Sequence, residues 1–419
     1  MESQNLENED AELEDPPNID NLRIKKKEES ESERMKVLVV GGGLSGGMLS
    51  YFLKSKKHFK ITCWEKSRGL GGRAATKRSS TISGCQADTG LQYLTRYEKS
   101  ARHDEIYKFL FDKGVISKLD VTNIANMKPG SEKMQHFKAI NGTNTIAKTL
   151  WEETNAEVIK LQKLKSLDYS QDQVVAENEQ GEKENFDLVV LTIPPPQITR
   201  DISFTPPIEK KVQETIDQVK FSARFALVYF FGGDYDIDSR VAASYAANRD
   251  DAIVYWNIDE AKRFGMDTEK NFRTTMFHFK KELYKDLTPA EALPKLQEHV
   301  AKSFPKLISG VAIKVPKYTN LVKFLEPYQT ARLNLGLLSH HSSPTPAEAV
   351  PHRWLFSQVD QKYPDSQGFL SLGDRVIICG DSFGTRGNFD GCLESASQTA
   401  DHILSLLPNT STFNDKTEK

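Results

Sequence analysis

The chain of 419 residues is poor in cysteine, balanced in charge and without a long apolar run. Its four cysteines (Cys63, Cys85, Cys379 and Cys392) lie far apart and form no Cys-x-x-Cys pair, which excludes a short disulfide-stapled secreted framework. Cys63 and Cys379 sit inside strand-like apolar runs, and buried free thiols fit a reducing compartment. With 56 Lys and Arg against 58 Asp and Glu the net charge is −2, so no global field points to nucleic acid or to an anionic membrane. No apolar stretch reaches the roughly 20 residues that span a bilayer. His103 and His136 stand alone, with no cysteine or carboxylate at metal-ligand spacing, so no metal is expected. Large apolar residues are nearly missing from residues 1–34, where twelve Asp and Glu face five Lys and Arg. Such a segment cannot bury enough surface to offset its ordering entropy and is expected to be disordered. It does not read as a secretory leader, and a cytoplasmic location is expected. Its basic run Arg23 to Lys27 could be an import or phosphate-binding patch, but Glu28, Glu29, Glu31 and Glu33 dilute it and a solvated run is the commoner meaning.

What is present begins at Lys36. An apolar run enters Gly41-x-Gly43-x-x-Gly46, and a helix-like run follows through Leu53. This reads as strand, tight turn and helix. Gly41 allows the turn, Gly43 lets a pyrophosphate approach the backbone, and Gly46 lets helix and strand pack closely. The helix start offers free N–H groups and a favourable dipole for phosphate. A second strand, Ile61 to Glu65, ends in an acid 19 residues after Gly46, where a ribose-binding carboxylate belongs. The irregular stretch beyond holds Gly69-Leu-Gly-Gly-Arg73, which pairs a close-lying backbone with a cationic fork. Asp88 and Gly90 fit a tight turn that presents Gln92 and Tyr93.

Further along, Thr143 or Asn144 can cap a helix starting near Thr145, and Ala156 to Ile159 forms a short strand. Phe186 to Ile193 reads as one continuous buried parallel strand, stopped by Pro194-Pro-Pro196. Residues 197–369 have another texture. The runs 224–231, 252–256 and 272–279 are aromatic and β-branched, as a sheet lining a pocket would be. The segment 318–350 has no strong period and reads as an insertion, followed by a short strand from Trp354 to Val359. The C-terminal part returns to the pattern of the N-terminal one, with a buried strand to Cys379, a glycine-rich loop from Gly380 and Asp381 to Cys392, and a helix from Leu393 to Leu407. An acid directly after a strand's glycine can bond a ribitol hydroxyl.

The glycine turn, Glu65, Gly71-Gly72-Arg73 and Gly380-Asp381 together resemble the flavin amine-oxidase superfamily. Within it the chain is most similar to the renalase group, through Asp88 to Tyr93, Phe186 to Pro194, Ser222-Ala-Arg-Phe-Ala-Leu227 and Asn388-Phe-Asp-Gly-Cys392. The resemblance covers 35–407 apart from 318–350. It implies an α/β fold: a discontinuous Rossmann-like FAD-binding domain with a second, mixed-sheet α+β substrate domain. The expected division is a disordered extension (1–34), FAD-binding segments (35–96, 138–196 and 370–407), substrate-domain segments (97–137 and 197–369) and a polar tail (408–419). The resemblance assigns non-covalent FAD to Gly41, Gly43, Ser45, Gly46, Glu65, Gly72, Arg73, Gln92, Tyr93, Val158, Gly380, Asp381 and Asp390. Ser45 would meet the pyrophosphate, Glu65 the adenosine ribose, the Val158 backbone the adenine and Asp381 the ribitol side. His278, Trp354 and Tyr93 are the implied catalytic residues. Phe231 departs from the group, which tends to have a pocket tyrosine there.

The implied activity is oxidation of dihydro isomers of NAD(P)H by transfer of hydride to flavin N5, with O2 as the second partner and NAD(P)+ and H2O2 as products. No nucleophilic triad is needed, since the flavin carries the hard step. An amine oxidase is the alternative; it would need an aromatic cage, for which Tyr229, Phe231, Tyr255, Trp256 and Trp354 are available. A non-catalytic flavin-binding scaffold is the second alternative.

Overall fold

The computed structural model describes residues 34–54, 58–232, 237, 239, 241–269, 271–305 and 346–407. The basic run at Arg23 to Lys27, nearly all of the N-terminal extension, the tail at 408–419 and most of the 318–350 segment lie outside the described residues.

The first sheet explains the apolar runs. Its six strands lie in the spatial order 369–372, 376–379, 188–191, 35–40, 59–65, 157–160, and all run parallel except the first. Val37 to Val40 pair with Leu188 to Leu191 on one side and with Ile61 to Trp64 on the other. Alternation then divides the side chains. Val37, Val39, Cys63 and Val190 pack against the helices Leu44–Leu53, Ala101–Asp112, Asn144–Glu152 and Phe389–Ser405. Leu38, Val40, Trp64, Val189 and Leu191 pack under a four-strand sheet ordered 183–186, 174–178, 164–168, 203–205. Both faces are covered, so Val37 to Val40 and Leu188 to Leu191 are apolar at consecutive positions.

Two expectations need correction here. Phe186 to Ile193 is not one strand. Lys183–Phe186 belongs to the four-strand sheet and Leu188–Leu191 to the parallel sheet. Asp187 makes the break: its carboxylate accepts from the Lys36 amide at 2.7 Å and from Gln173 at 2.9 Å, which turns the chain from one sheet to the other. The last helix is Phe389–Ser405 and so starts four residues before Leu393. The Asn388 side chain caps it by accepting from the Gly391 amide.

The second large sheet has the order 348–361, 220–230, 274–279, 253–258, 243–245, 124–125, antiparallel except for the last pair. Phe225, Leu227, Tyr229 and Phe231 form a core with Ala292, Leu296 and Val300 of the helix Pro289–Ser303. Ala226, Val228 and Phe230 face the other way. The strand expected from Trp354 to Val359 is Glu348–Gln361, fourteen residues paired along nearly the whole of Lys220–Phe230. Glu348, Ala349 and Val350 are therefore part of that strand, not of an insertion.

A buried ionic cluster joins the two units. The side chains of Asp88, Asp259, Lys262 and Arg263 are each 1% exposed. Lys262 lies 3.3 Å from both carboxylates, and Arg263 pairs with Asp88 at 2.9 Å and with Asp259. Asp88 also accepts from the Thr143 amide (2.8 Å) and from the Thr76 hydroxyl (2.7 Å). Thr143 is the N-cap position of its helix, but its hydroxyl serves Asp88 and makes no capping bond. Burial alone would raise the Asp88 carboxyl; Lys262, Arg263 and the Thr143 amide outweigh it and hold it below its usual value. Removing one partner of such a pair leaves a buried charge uncompensated. Lys262→Met is expected to destabilise the protein by about 3–5 kcal/mol, read as a lower midpoint in thermal or denaturant unfolding.

Candidate active site

Between the two large sheets lies a cavity of about 900 Å³, toward the upper end of the roughly 300–1,000 Å³ range of small-molecule sites. Its first end is the glycine turn. Gly41 has φ +112°, and a side chain there would strike Thr192 and Ile193. A Cβ on Gly46 would meet the Gly41 carbonyl at 2.5 Å, so this glycine sets helix-to-strand packing. Gly43 differs: a Cβ would find only one atom, 4.0 Å away, which leaves its backbone open to the cavity. The helix Leu44–Leu53 starts there with no side-chain cap and no acidic residue in its first turn. Those are the conditions for seating a phosphate. Glu65, 7% exposed, accepts from the amides of Gly42 and Ser67, each at 2.7 Å, and borders the same end.

The middle of the cavity is closed by a charge pair from opposite ends of the chain. Arg73 donates in bidentate fashion to Asp381 at 2.6 and 2.7 Å and lies over the Phe221 ring at 5.3 Å. Ser45 and Gly72 line the wall beside it. Cys392 also reaches the cavity; burial pushes its thiol up to about 12, so it stays protonated at neutral pH.

The far end is built by one face of the second sheet. His278 Nε2 and Trp354 Nε1 both donate to the carbonyl of Thr89, each at 2.8 Å. A carbonyl only accepts, so His278 carries its proton on Nε2 and a lone pair on Nδ1. Burial, helped by the positive charge of Arg224, lowers the His278 pKa to about 3. His352 stacks edge-on against Trp354 with centroids 4.1 Å apart, and burial with Lys77 lowers it to about 4. Tyr93 bonds Tyr245 through their hydroxyls, and burial raises both phenols. Gln92 is held on every side: its amide donates to the carbonyls of Asp88 and Gly90, and its oxygen accepts from Asn257 and Lys262.

Gly41, Gly43, Ser45, Glu65, Gly72, Arg73, Gln92, Tyr93, His278, Trp354 and Asp381 thus border one cavity. Four expected residues do not. Gly46 packs behind the turn, as its spacing predicted. Gly380 borders Ser45, and its amide donates to Ser395. Val158 is packed into the helix-side core, and Gln162, Lys163 and Leu164 border the cavity in its place. Asp390 accepts from the amides of Tyr97 and Glu98 and from the Tyr107 hydroxyl and does not border the cavity. Arg224, Tyr245 and His352 line the wall and were not singled out from sequence. Strand parity with Ala226 was the available signal for Arg224. His103 and His136 are structural, bonded to Ser100 and to Thr95 and Ser131 respectively.

The cavity fits a dinucleotide such as FAD: it runs from an open helix start and a buried carboxylate, past a charge pair, to a wall of rings. Comparison with known proteins agrees with that geometry. Residues 39–110 match the NAD(P)-binding Rossmann-like domain, and residues 117–404 match the flavin containing amine oxidoreductases. The chain is 27% identical over 370 residues to the renalase of Mus musculus, covering 86% of this chain and 96% of that one. Its fold is similar to that of a protoporphyrinogen-oxidase-like protein from Exiguobacterium sp. 255-15, with a TM-score of 0.61 at 11% identity, covering 88% of this chain and 98% of that one.

His278 is expected to remain neutral as the Nε2–H form through the physiological range. Nitrogen NMR of labelled imidazoles checks this; a ring titrating between about pH 5 and 8 would contradict it.

Proposed function

Since the chain belongs to the flavin containing amine oxidoreductase family, and its cofactor is FAD, we propose that it is a renalase-like oxidase of dihydro isomers of NAD(P)H. One isomer, one O2 and one proton give NAD(P)+ and H2O2. Bound FAD supplies the two-electron acceptance from the reduced ring and the return of those electrons to O2. The residues of this chain supply position. The start of Leu44–Leu53, with Ser45, holds the pyrophosphate; Glu65 takes the adenosine ribose; Gly72, Arg73 and Asp381 take the ribitol side. Tyr93 and Gln92 border the ring end, opposite His278 and Trp354. The corresponding division of the chain assigns 35–96, 138–196 and 370–407 to the cofactor and 97–137 with 197–369 to the substrate. Attachment is non-covalent on the same resemblance, and Cys392 is the cysteine among the described residues that lines the cavity.

The observation that carries the substrate reading is the composition of the far wall. His278, His352, Trp354, Tyr93 and Tyr245 offer neutral hydrogen-bonding groups and ring faces, suited to orienting a flat, reduced nicotinamide. A neutral His278 with a free Nδ1 lone pair can accept a bond from the carboxamide. Three of the five aromatics named for an amine cage are turned away, although Tyr93 and Tyr245 also border the cavity. Tyr229 and Phe231 are turned into the helix-covered core, and Trp256 packs on Phe304 on that same side, leaving Tyr255 and Trp354 at the cavity. Phe231, where a pocket tyrosine was expected, is likewise off the wall, so its missing hydroxyl takes nothing from the site.

Anaerobic titration of the yellow protein with dihydronicotinamide isomers is expected to bleach it, and air to restore the colour with release of peroxide. Bleaching by amines and not by the isomers would give the amine reading instead; reduction by neither would leave a flavin-binding scaffold. Glu65→Ala is expected to weaken FAD binding by roughly 10- to 100-fold, the loss of charge-assisted bonds, measured by equilibrium release of the flavin.

A further inference from the structure

We propose that Arg224 is the anion-binding residue of the substrate site, and that it selects reduced nicotinamides carrying a phosphate over those that end at the ribose. This deepens the substrate reading above and rests on it. Arg224 lies on Lys220–Phe230, directly opposite Trp354 in register. Two residues on, Ala226 stands between His278 on one neighbouring strand and His352 on the other. Period-two alternation puts Arg224 on the face that carries both imidazoles and Trp354, and it borders the cavity with them.

Among the described residues its charge has no bonded partner. The Arg224 Nε is buried without a hydrogen bond. The acid that acts on it, Asp360, is engaged by Lys281. Asp381, which borders the same cavity, is taken up by both arms of Arg73. The other acids bordering the cavity are Glu65, which holds two amides at the glycine end, and Asp201, which Arg200 binds. The field at the ring end is therefore positive. Arg353, whose Nε is also unpartnered, borders the same cavity, and the positive charges of Arg224 and Lys77 help keep the two imidazoles neutral. A desolvated guanidinium fork beside neutral donors matches a phosphate, which accepts two parallel N–H bonds. The same field opposes a protonated amine.

The test compares the FAD-loaded wild-type protein with Arg224→Met and Arg224→Lys. For dihydronicotinamide mononucleotide and dinucleotide isomers, Arg224→Met is expected to raise KM roughly tenfold or more with kcat within about threefold, and Arg224→Lys to fall between. For the corresponding ribosides, which lack phosphate, KM should stay within about threefold. Independently of turnover, inorganic pyrophosphate should perturb the wild-type flavin spectrum saturably, with roughly tenfold weaker binding in Arg224→Met. Equal losses on ribosides and nucleotides, no response of the wild type to pyrophosphate, or loss of FAD from Arg224→Met with unchanged circular dichroism would each overturn the proposal. If no isomer bleaches the wild type but pyrophosphate binding depends on Arg224, the anion site stands and the oxidase reading falls.

Discussion

The buried carboxylate of Asp88 is the constraint on which the site depends. It ties the start of the helix Asn144–Glu152 to the Lys262 and Arg263 side chains of the other unit. The next residue, Thr89, offers the carbonyl on which His278 and Trp354 both end, and the Asp88 carbonyl itself accepts from Gln92. One short segment therefore sets the distance between the two sides of the cavity. Two acids and two bases at 1% exposure repay their desolvation by mutual pairing and by bonds to Thr76, Thr143 and Gln92. The arrangement is rigid because every member has lost the option of water.

Rigidity there lets the cavity be chemically divided. At the glycine end, backbone amides and carboxylates prevail, as suits sugar and pyrophosphate. In the middle, Arg73 and Asp381 neutralise each other. At the far end the groups are neutral rings and an unpaired guanidinium. Neutral imidazoles follow from burial and from neighbouring positive charge, with no carboxylate beside them to hold a proton. Such a surface suits the activity proposed above, in which the flavin carries the redox step and the protein supplies position.

Much of the cofactor side was legible because its residues are consecutive and their spacing has a backbone meaning. Gly41, Gly43, Gly46 and Glu65 follow from a strand, a turn, a helix and a second strand. Proximity in a motif does not say which way a side chain turns, and Asp390 turns back to two amides and the Tyr107 hydroxyl. Parity places two of the aromatics named for an amine cage on the helix-covered face. Tyr229 and Phe231 alternate away from Arg224 and Ala226, a distinction present in the run itself but unusable until one residue of it is placed on a face. Asp187 shows the same limit, since its carboxylate redirects a chain that apolar content alone makes continuous.

Local geometry and composition by themselves determined a strand, glycine turn and helix, an acid at the end of the next strand, buried thiols and two textures of sheet, because those depend on neighbours a few residues away. Tertiary structure decided what depends on distant partners. It brought Arg73 to Asp381 across 308 positions, His278 and Trp354 to one carbonyl, and Arg224 to a wall without a carboxylate to pair with. Charge pairing and desolvation act through space, and only the closed fold establishes which groups share that space.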